Sequence, residues 1–574
     1  MKVRVPVLIK DQATEREYKI EPEVQNVIID KEEFFLDGPV TKRVAILDFD
    51  PKTGALLPGA RYLPPAKGKK IGTYKIGNLK SLTSRAFNQV SVFGTVIKMM
   101  YMFEEEDALG RSLKWAFDAP QLLVIPRAGE WANAFYERES HSLQFFFFKS
   151  VSKPERTVYT SLSQDIVAHE TGHAILDGIA PDLYNSITPQ SLAIHESIAD
   201  LTALLSAFRT SNLTSPALQL TGGSISESRV FSGIAGEFGR ANAPEGGAAF
   251  LRDLNNGKTL DPKDKSSDRY GKPNLVARDE PHALSEVLSG ALYALMIDIY
   301  EREKIMYSEV ARRKDWPELK LWVYSLWTGA QKFKRIIFRA LDYLPPGEVS
   351  FADYGRAIIA ADQASHPAEK EERDFIKREF VKRHMAPSLK SLEIKTNFSH
   401  TALENVDLEV LLNSDWAAYE FANRNREFLR VPKHVQHFRV WPRLDTTKLY
   451  YQGGDEKKRI RECIFKIAWD HEEPNKINAL LPRRRQITVG TTLAIDWETR
   501  KVRALLSSDK NLEQREDRDR LVLRLADLGL LRVGSEAIGP NGKMLRTAIR
   551  AEITEGLMRL RGAARMLHIA AEVS

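Results

Sequence analysis

Short runs of alternating apolar and polar residues fill the first 80 positions of the chain. Residues 3–7 form one such run and residues 44–49 form another. Turn-forming residues separate the runs, as in the proline- and glycine-containing segment 50–54. Alternation is typical of half-buried strands, and proline and glycine are typical of the turns between strands. The pattern therefore predicts a small β-rich N-terminal extension over residues 1–80.

Two buried helices are predicted in the middle of the chain. Ser161 and Gln164 have the spacing of a capping box, and Gly178 is placed for a left-handed C-cap. Thr188 followed by Pro189 marks the start of the second helix, because proline is favoured at the first helical position. Apolar residues flank the polar ones on both helices. Both helices are therefore expected to be buried, and their polar side chains need partners.

The last part of the chain, residues 386–574, is predicted to be a separate α+β domain of unknown role. The pattern predicts helices over residues 406–429, 521–531 and 544–568, and strands over residues 437–441 and 487–495. A hairpin is predicted to join Leu493–Trp497 to Lys501–Leu506, because a short polar segment separates two apolar runs.

The predicted middle helices carry residues with the spacing of a catalytic zinc site. His169 and His173 are one helical turn apart, so both imidazoles project from the same face. Glu196 and Asp200 repeat this spacing on the second helix. Two imidazole nitrogens and the carboxylate of Glu196 leave a fourth zinc position open for water, and Glu170 is placed to take a proton from that water. The alternative is an amphipathic helix with two polar residues on an exposed face.

Two segments resemble the zinc-binding segments of thermolysin- and fungalysin-type gluzincins, whose ligands are the histidines of HExxH and a later glutamate. They are DIVAHETGHAILD, residues 165–177, and HESIAD, residues 195–200. The resemblance covers residues 87–384. It implies an α+β protein with a two-lobed thermolysin-like catalytic domain over residues 81–385. The front lobe is then mixed α/β and the rear lobe all-helical.

The resemblance also implies roles for residues outside the ligand set. Tyr184 and His282 correspond to two residues that stabilise the transition state. Asp200 corresponds to the carboxylate that orients His169, and Asp279 is the candidate for orienting His282. Three of them have a simpler alternative: Tyr184 as a loop tyrosine, His282 as a histidine at a helix N-terminus, and Asp200 as a surface helix carboxylate.

Substrate contacts are implied by two further segments. Asn133 and Ala134 resemble the edge strand that pairs with the substrate backbone, a form of β-augmentation. Leu251 and Arg252 resemble a pair near the pocket for the residue after the scissile bond. A plain salt bridge is the alternative for Arg252. His195, beside the third ligand, is assigned no role.

The sequence also departs from this family. The gap between His173 and Glu196 is a few residues longer than in thermolysin, which predicts a bulged connecting loop. Asp165 corresponds to a carboxylate that binds calcium in the family, but its expected partner falls near Ala207. Calcium needs six to eight oxygen ligands. Zinc is therefore the expected metal, the family's double-calcium site is not expected, and calcium stays doubtful.

Composition and charge indicate where in the cell the protein is expected. The chain has 574 residues, a formal net charge of +7, and one cysteine, Cys463. It has no apolar run of about twenty residues, so no membrane span is predicted. Its first residues are too charged for a secretory signal, and no pro-region is evident, so a cytoplasmic location is predicted. Export by a non-classical or injection-type route is the alternative.

The sequence thus predicts a zinc metalloendopeptidase that acts on proteins or peptides. Two alternatives remain open: a catalytically silent protease-like scaffold, and a protease effector delivered by its terminal domains. Residues 386–574 are the candidate surface for a protein partner. Nucleic acid is not expected, because the basic run 483–485 is short and the positive charge is spread over the chain.

Overall fold

Strands and helices alternate along much of the chain, which confirms the predicted α+β class. The structure is a computed structural model. It describes residues 1–11, 14, 24–77, 82–151, 153–243, 250–268, 271–451, 457–475, 482–508, 514–528, 531–533 and 549–561. Within these ranges the larger sheets have four, four and eight strands.

The alternating N-terminal runs form strands. They are β1 (Val3–Leu8), β2 (Val24–Ile29), β3 (Val44–Ile46), β4 (Tyr62–Leu63) and β5 (Gly72–Tyr74). Four of them form a sheet in the order β2-β1-β5-β4. Helix α1 (Arg85–Glu104) packs on β1 at Gly94, where a Cβ atom would lie 2.4 Å from a methyl group of Val7. The missing side chain lets the helix lie close to the strand.

The second four-stranded sheet has the order β3-β6-β8-β7. Its other strands are β6 (Leu122–Ile125), β7 (Ala134–Glu137) and β8 (Ser142–Phe145). Strand β3 lies parallel to β6, so the first 80 residues share this sheet with the segment that follows them. Strand β7 lies at the edge and is antiparallel to β8. A short ladder, β9 (Phe147–Lys149) with β10 (Thr157–Tyr159), leads on to the central helices.

The two predicted central helices are present, with corrected ends. They are α2 (Gln164–Ile179) and α4 (Pro189–Phe208), joined through the short α3 (Pro181–Tyr184). The N-cap of α2 is Ser163, whose hydroxyl accepts a hydrogen bond from the Ile166 N–H, and not Ser161, which lies in a 3-10 turn. Gly178 lies inside α2 and is not its C-cap. A Cβ atom there would lie 2.0 Å from the carbonyl oxygen of Lys114, so close packing requires the glycine.

Helices dominate the segment up to residue 382. They are α5 (Ser211–Leu220), α6 (Arg229–Ser232), α7 (Gly236–Asn242), α8 (Pro281–Arg313), α9 (Glu318–Tyr343), α10 (Phe351–Ser365) and α11 (Glu371–Lys382). A two-stranded ladder joins β11 (Gly233–Ile234) to β12 (Arg252–Asp253). Helix α8 is the one described helix long and apolar enough to cross a membrane, and 72% of its most apolar window is buried inside the protein.

The C-terminal part is built on the eight-stranded sheet. Its strands are β13 (Phe438–Arg439), β14 (Arg443–Tyr451), β15 (Lys457–Pro474), β16 (Arg484–Asp496), β17 (Val502–Ser507), β18 (Leu531–Val533), β19 (Ile549–Thr554) and β20 (Leu557–Arg561). The antiparallel pair β16 and β17 confirms the predicted hairpin.

The predicted C-terminal helices are wrong in several places. The helix expected over 406–429 is broken into α12 (Leu408–Asn413) and α13 (Asp415–Arg424), because Ser414 caps a new helix by accepting a hydrogen bond from the Ala417 N–H. The helix expected over 521–531 is α14 (Arg515–Asp527), which starts earlier and ends before Leu531. In place of a helix over 544–568, the described residues form the β19–β20 hairpin, and the rest of that segment lies outside them.

The C-terminal sheet is joined to the helices through a buried group of charges. The carboxylate of Asp342, on α9, contacts the guanidinium of Arg111 at 2.7 Å and the ammonium of Lys448, on β14, at 2.8 Å. Asp342 and Lys448 are almost fully buried. A single apolar core runs from Val3 to Leu560 through all three predicted parts of the chain.

Candidate metal centre

Three candidate ligands converge where α2 packs against α4. His169 Nε2 lies 3.0 Å from His173 Nε2 and 3.5 Å from a carboxylate oxygen of Glu196, and His173 Nε2 lies 3.6 Å from the other. All three side chains are buried. Two ligands bound tetrahedrally to zinc at about 2.1 Å lie about 3.4 Å apart, so the spacing suits zinc. In the described part of the chain this is the only such convergence of His, Cys, Asp or Glu.

A glycine allows these helices to lie close enough together. At Gly172, between the two histidines of α2, a Cβ atom would lie 3.0 Å from the Cα atom of Ala199 and from the hydroxyl of Thr202, both on α4. A larger residue would push the helices apart. Separation of the helices would move Glu196 away from the imidazoles.

Asp200 contacts His169 on the side of the ring that faces away from the other candidate ligands, as the family resemblance implied. One of its oxygens lies 2.9 Å from His169 Nδ1, which leaves Nε2 directed at the other candidate ligands. Arg252, on β12, donates two hydrogen bonds to the same carboxylate at 2.8 and 2.7 Å. Burial alone would raise the pKa of Asp200, but Arg252 and His169 outweigh it and lower that pKa. Arg252 therefore stabilises the ionised form of Asp200 and also lies close to the candidate ligands.

Histidine 195 has a position that the sequence did not predict. Its Nδ1 lies 2.8 Å from Nδ1 of His173, and the two rings stack at a centroid distance of 5.0 Å. Burial lowers the pKa of His195 to about 3, so its ring is neutral. When Nδ1 of His173 carries the proton, the neutral His195 accepts that hydrogen bond, and His173 Nε2 is left for a metal. His195 immediately precedes Glu196. The predicted burial of this helix was the sequence signal that could have indicated a contact between His195 and the site.

Glu170 lies beside the three candidate ligands without belonging to their cluster. Its carboxylate accepts a hydrogen bond from the backbone N–H of Tyr136, on β7, at 3.0 Å. Burial raises the pKa of Glu170 to about 8, although the neighbouring His169 partly opposes this. The geometry suits a proton acceptor when the carboxyl group is ionised, because the group is fixed in place, close to the site and not a ligand.

His282 contacts the site, but its carboxylate partner differs from the one expected. His282 Nε2 lies 3.6 Å from Glu196, and Nδ1 lies 3.4 Å from Glu280. Glu280 caps α8 by accepting a hydrogen bond from the Ala283 N–H, which holds its carboxylate beside the histidine. The expected partner, Asp279, precedes the helix and faces Arg524 at 3.7 Å.

Tyr184 and the residues of β7 border the same region. The ring of Tyr184 contacts the ring of His195 at 5.7 Å, and the guanidinium of Arg138 lies over it at 4.3 Å. Burial raises the pKa of Tyr184, so its hydroxyl is protonated. Asn133 precedes β7 and accepts a hydrogen bond from the Ala134 N–H. Ala134 is the first residue of the edge strand β7. The edge of β7 that faces away from β8 contacts Glu170 through the Tyr136 N–H.

The position considered for calcium contains a lysine. Lys10 Nζ lies 2.7 Å from Asp165 Oδ1 and 3.3 Å from the carbonyl oxygen of Gly233. The other oxygen of Asp165 accepts a hydrogen bond from the Ala235 N–H at 3.1 Å. Lys10 and Asp165 are both buried. The ammonium group supplies the positive charge that this buried carboxylate needs.

Asp200→Asn is expected to weaken zinc binding about 10- to 100-fold, the usual effect of losing such a supporting carboxylate. The amide cannot hold the positive charge that His169 gains on coordinating a metal. Zinc affinity is measured by competition with a coloured chelator. Asp374→Asn, at an exposed position on α11, is the matched control and should leave zinc affinity unchanged. Equal affinities for the two variants would contradict this role for Asp200.

Zinc binding is expected to tighten as the pH rises from 7 towards 10. Burial alone would lower the pKa of His169, but Asp200 and Glu196 outweigh it and raise that pKa to about 10. The metal-free histidine therefore carries a proton at pH 7 that zinc must displace, and this competition weakens as the proton is lost. Affinity measured at pH 7, 8 and 9 should rise by up to about tenfold per unit. A pH-independent affinity, without proton release on binding, would show that His169 is neutral.

No family model matches this chain, and no curated protein sequence matches it. The function is therefore inferred from the residues and geometry of the site itself.

Proposed function

We propose that this protein is a zinc-dependent metalloendopeptidase with a two-lobed, thermolysin-like catalytic domain. The observation that carries the proposal is the convergence of His169, His173 and Glu196 at zinc-ligand spacing, with Glu170 beside them and outside the ligand set. These three residues would hold zinc, which would act as a Lewis acid and lower the pKa of water. The nearby open edge of β7 offers a place for a peptide backbone, which the silent-scaffold alternative does not require.

The side chains around the site supply the remaining steps of peptide hydrolysis. Glu170 takes a proton from the attacking water and passes it to the leaving amine. His282 donates a hydrogen bond to the carbonyl oxygen as negative charge develops there. Burial alone would lower the pKa of His282, but Glu196 and Glu280 raise it, which favours the protonated donor. Tyr184 is the second candidate donor.

The substrate backbone is proposed to pair with the open edge of β7. Peptides that add a strand to a sheet edge gain main-chain hydrogen bonds there. Ala134 lies on this edge and the Tyr136 N–H already bonds Glu170, so a bound peptide is held against the proton acceptor. Asn133 and Arg252 border this path.

Metal removal tests the proposal. The purified protein should contain about one zinc per chain and cleave unfolded casein or a peptide library. Removal of zinc with 1,10-phenanthroline should abolish cleavage, and added zinc should restore it. His173→Ala should lose both zinc and activity, whereas His434→Ala, an exposed histidine remote in sequence from the trio, should keep both. A zinc-loaded protein that cleaves nothing in the library would favour the scaffold alternative.

A further inference from the structure

A cavity of about 610 Å³ lies beyond the end of strand β7. Its lining begins at Arg138 and Glu139, which directly follow the strand. The open edge of β7 meets Glu170 at Tyr136, and Arg138 is two residues further on. At about 3.3 Å per residue, Tyr136 and Arg138 are about 7 Å apart along the chain. A peptide extended along the edge therefore reaches the cavity within a few residues of Glu170.

The two walls of the cavity come from different parts of the chain. One wall consists of residues around α3, including Asp182 and Asn185. The other consists of residues from β13, β15, β16, β19 and β20 of the C-terminal sheet, including Phe438, Trp469 and Glu552. The volume falls within the range of about 300–1,000 Å³ that is usual for ligand sites. The C-terminal sheet thus forms half of a site that opens next to the catalytic edge strand.

The cavity lining carries an excess of negative charge. It contains five carboxylates: Glu139, Asp182, Glu348, Asp470 and Glu552. It contains three guanidinium groups: Arg138, Arg439 and Arg559. Arg138 is itself committed to Asp177, a buried carboxylate outside the lining.

Two of the arginines are paired one to one with two of the carboxylates inside the cavity. Arg439 pairs with Asp182 across the two walls, and Arg559 pairs with Asp470. Apolar surface from Phe438 and Trp469 lies beside these charges. Long basic side chains combine an apolar stem with a charged end, which suits a lining of this kind.

We infer that this cavity binds a lysine or arginine side chain of the substrate, two to four residues from the scissile bond on one side of it. The inference rests on the proposed peptidase function. It gives the C-terminal sheet a role in substrate selection, because Glu552 and Trp469 belong to that sheet.

Cleavage-site profiling tests the inference. The zinc-loaded protein is incubated with a peptide library, and cleavage sites are read by mass spectrometry. Paired peptides with lysine or glutamine at the selected position then give kcat/KM. We expect the lysine peptide to be preferred by about fivefold or more. Glu139→Gln and Glu552→Gln, on opposite walls, should each lower kcat/KM for the lysine peptide and reduce the preference.

Glu555→Gln is the matched control, because this glutamate lies in the turn between β19 and β20, outside the cavity lining. It should leave the preference unchanged. Cleavage without a basic preference, or a preference that both cavity variants retain, would overturn this inference and leave the peptidase intact. A zinc-loaded protein that cleaves no peptide would overturn both proposals.

Discussion

Glu170→Gln is expected to keep about one zinc per chain and to lower peptide hydrolysis about 10³-fold. The carboxylate lies outside the ligand cluster, so its loss leaves the metal contacts of His169, His173 and Glu196 in place. Glutamine has nearly the same shape and still accepts a hydrogen bond from the Tyr136 N–H, but it cannot accept a proton from water. Bound zinc is measured by mass spectrometry and kcat/KM on one fluorogenic peptide.

Glu130→Gln provides the control for the same chemical change. Glu130 is exposed and lies four residues before β7, so this variant should keep both zinc and activity. If Glu170→Gln cleaved peptide at the wild-type rate, the assigned proton acceptor would be wrong. If it lost zinc, Glu170 would be acting as a ligand.

Lys10→Met is expected to destabilise the protein by about 3–5 kcal/mol, the usual cost of breaking one side of a buried ion pair. The ammonium of Lys10 is the cation directly beside Asp165, and both side chains are at most 3% exposed. Its removal leaves a carboxylate buried at the start of the helix that carries HExxH. The midpoint of urea unfolding, followed by tryptophan fluorescence, measures the loss.

Two further variants separate this effect from the general loss of a lysine. Lys2→Met breaks an ion pair with Asp30 whose side chains are 54% and 40% exposed, and should cost less than about 1 kcal/mol. Lys10→Met with Asp165→Asn should be more stable than Lys10→Met alone, because the amide carries no charge and still accepts from Ala235. Equal losses for Lys2→Met and Lys10→Met would show that the buried pair has no special role.

The sequence predicted the parts of the site that depend on local spacing. His169 and His173 lie on one helix face because they are four residues apart, and Glu196 lies on a helix whose start was visible at Thr188 and Pro189. The assignment of Asp200 to His169 also agrees with the observed contact. The placement of the two histidines and Glu196 needed only helical geometry and one packing step between two helices, whereas the role of Asp200 was implied by the family resemblance.

Contacts between distant segments escaped prediction. Lys10 meets Asp165 across 155 residues, and no pattern near either residue indicates the other. His282 contacts Glu280 and not Asp279, because Glu280 is the residue that caps α8. The sequence does not show which of the two acidic residues forms the cap. The segment Ile549 to Arg561 was predicted to be helical but forms the β19–β20 hairpin. Its strand β20 pairs with β16, which lies far upstream, so the local sequence pattern does not reveal the pairing.

The buried contact between Asp342 and Lys448 has a consequence for how the protein is made. Lys448 and the long strands that follow it leave the ribosome after the whole HExxH segment and its helices. Synthesis from residue 343 to residue 496 takes roughly 8–30 s at typical elongation rates. For most of that interval Asp342 lacks one of its two cations, and until its end the helices lack the complete long strands that cover them. We therefore expect Asp342 to gain its second cation, and the helices to gain their covering sheet, only after the long strands β14 to β16 have been made.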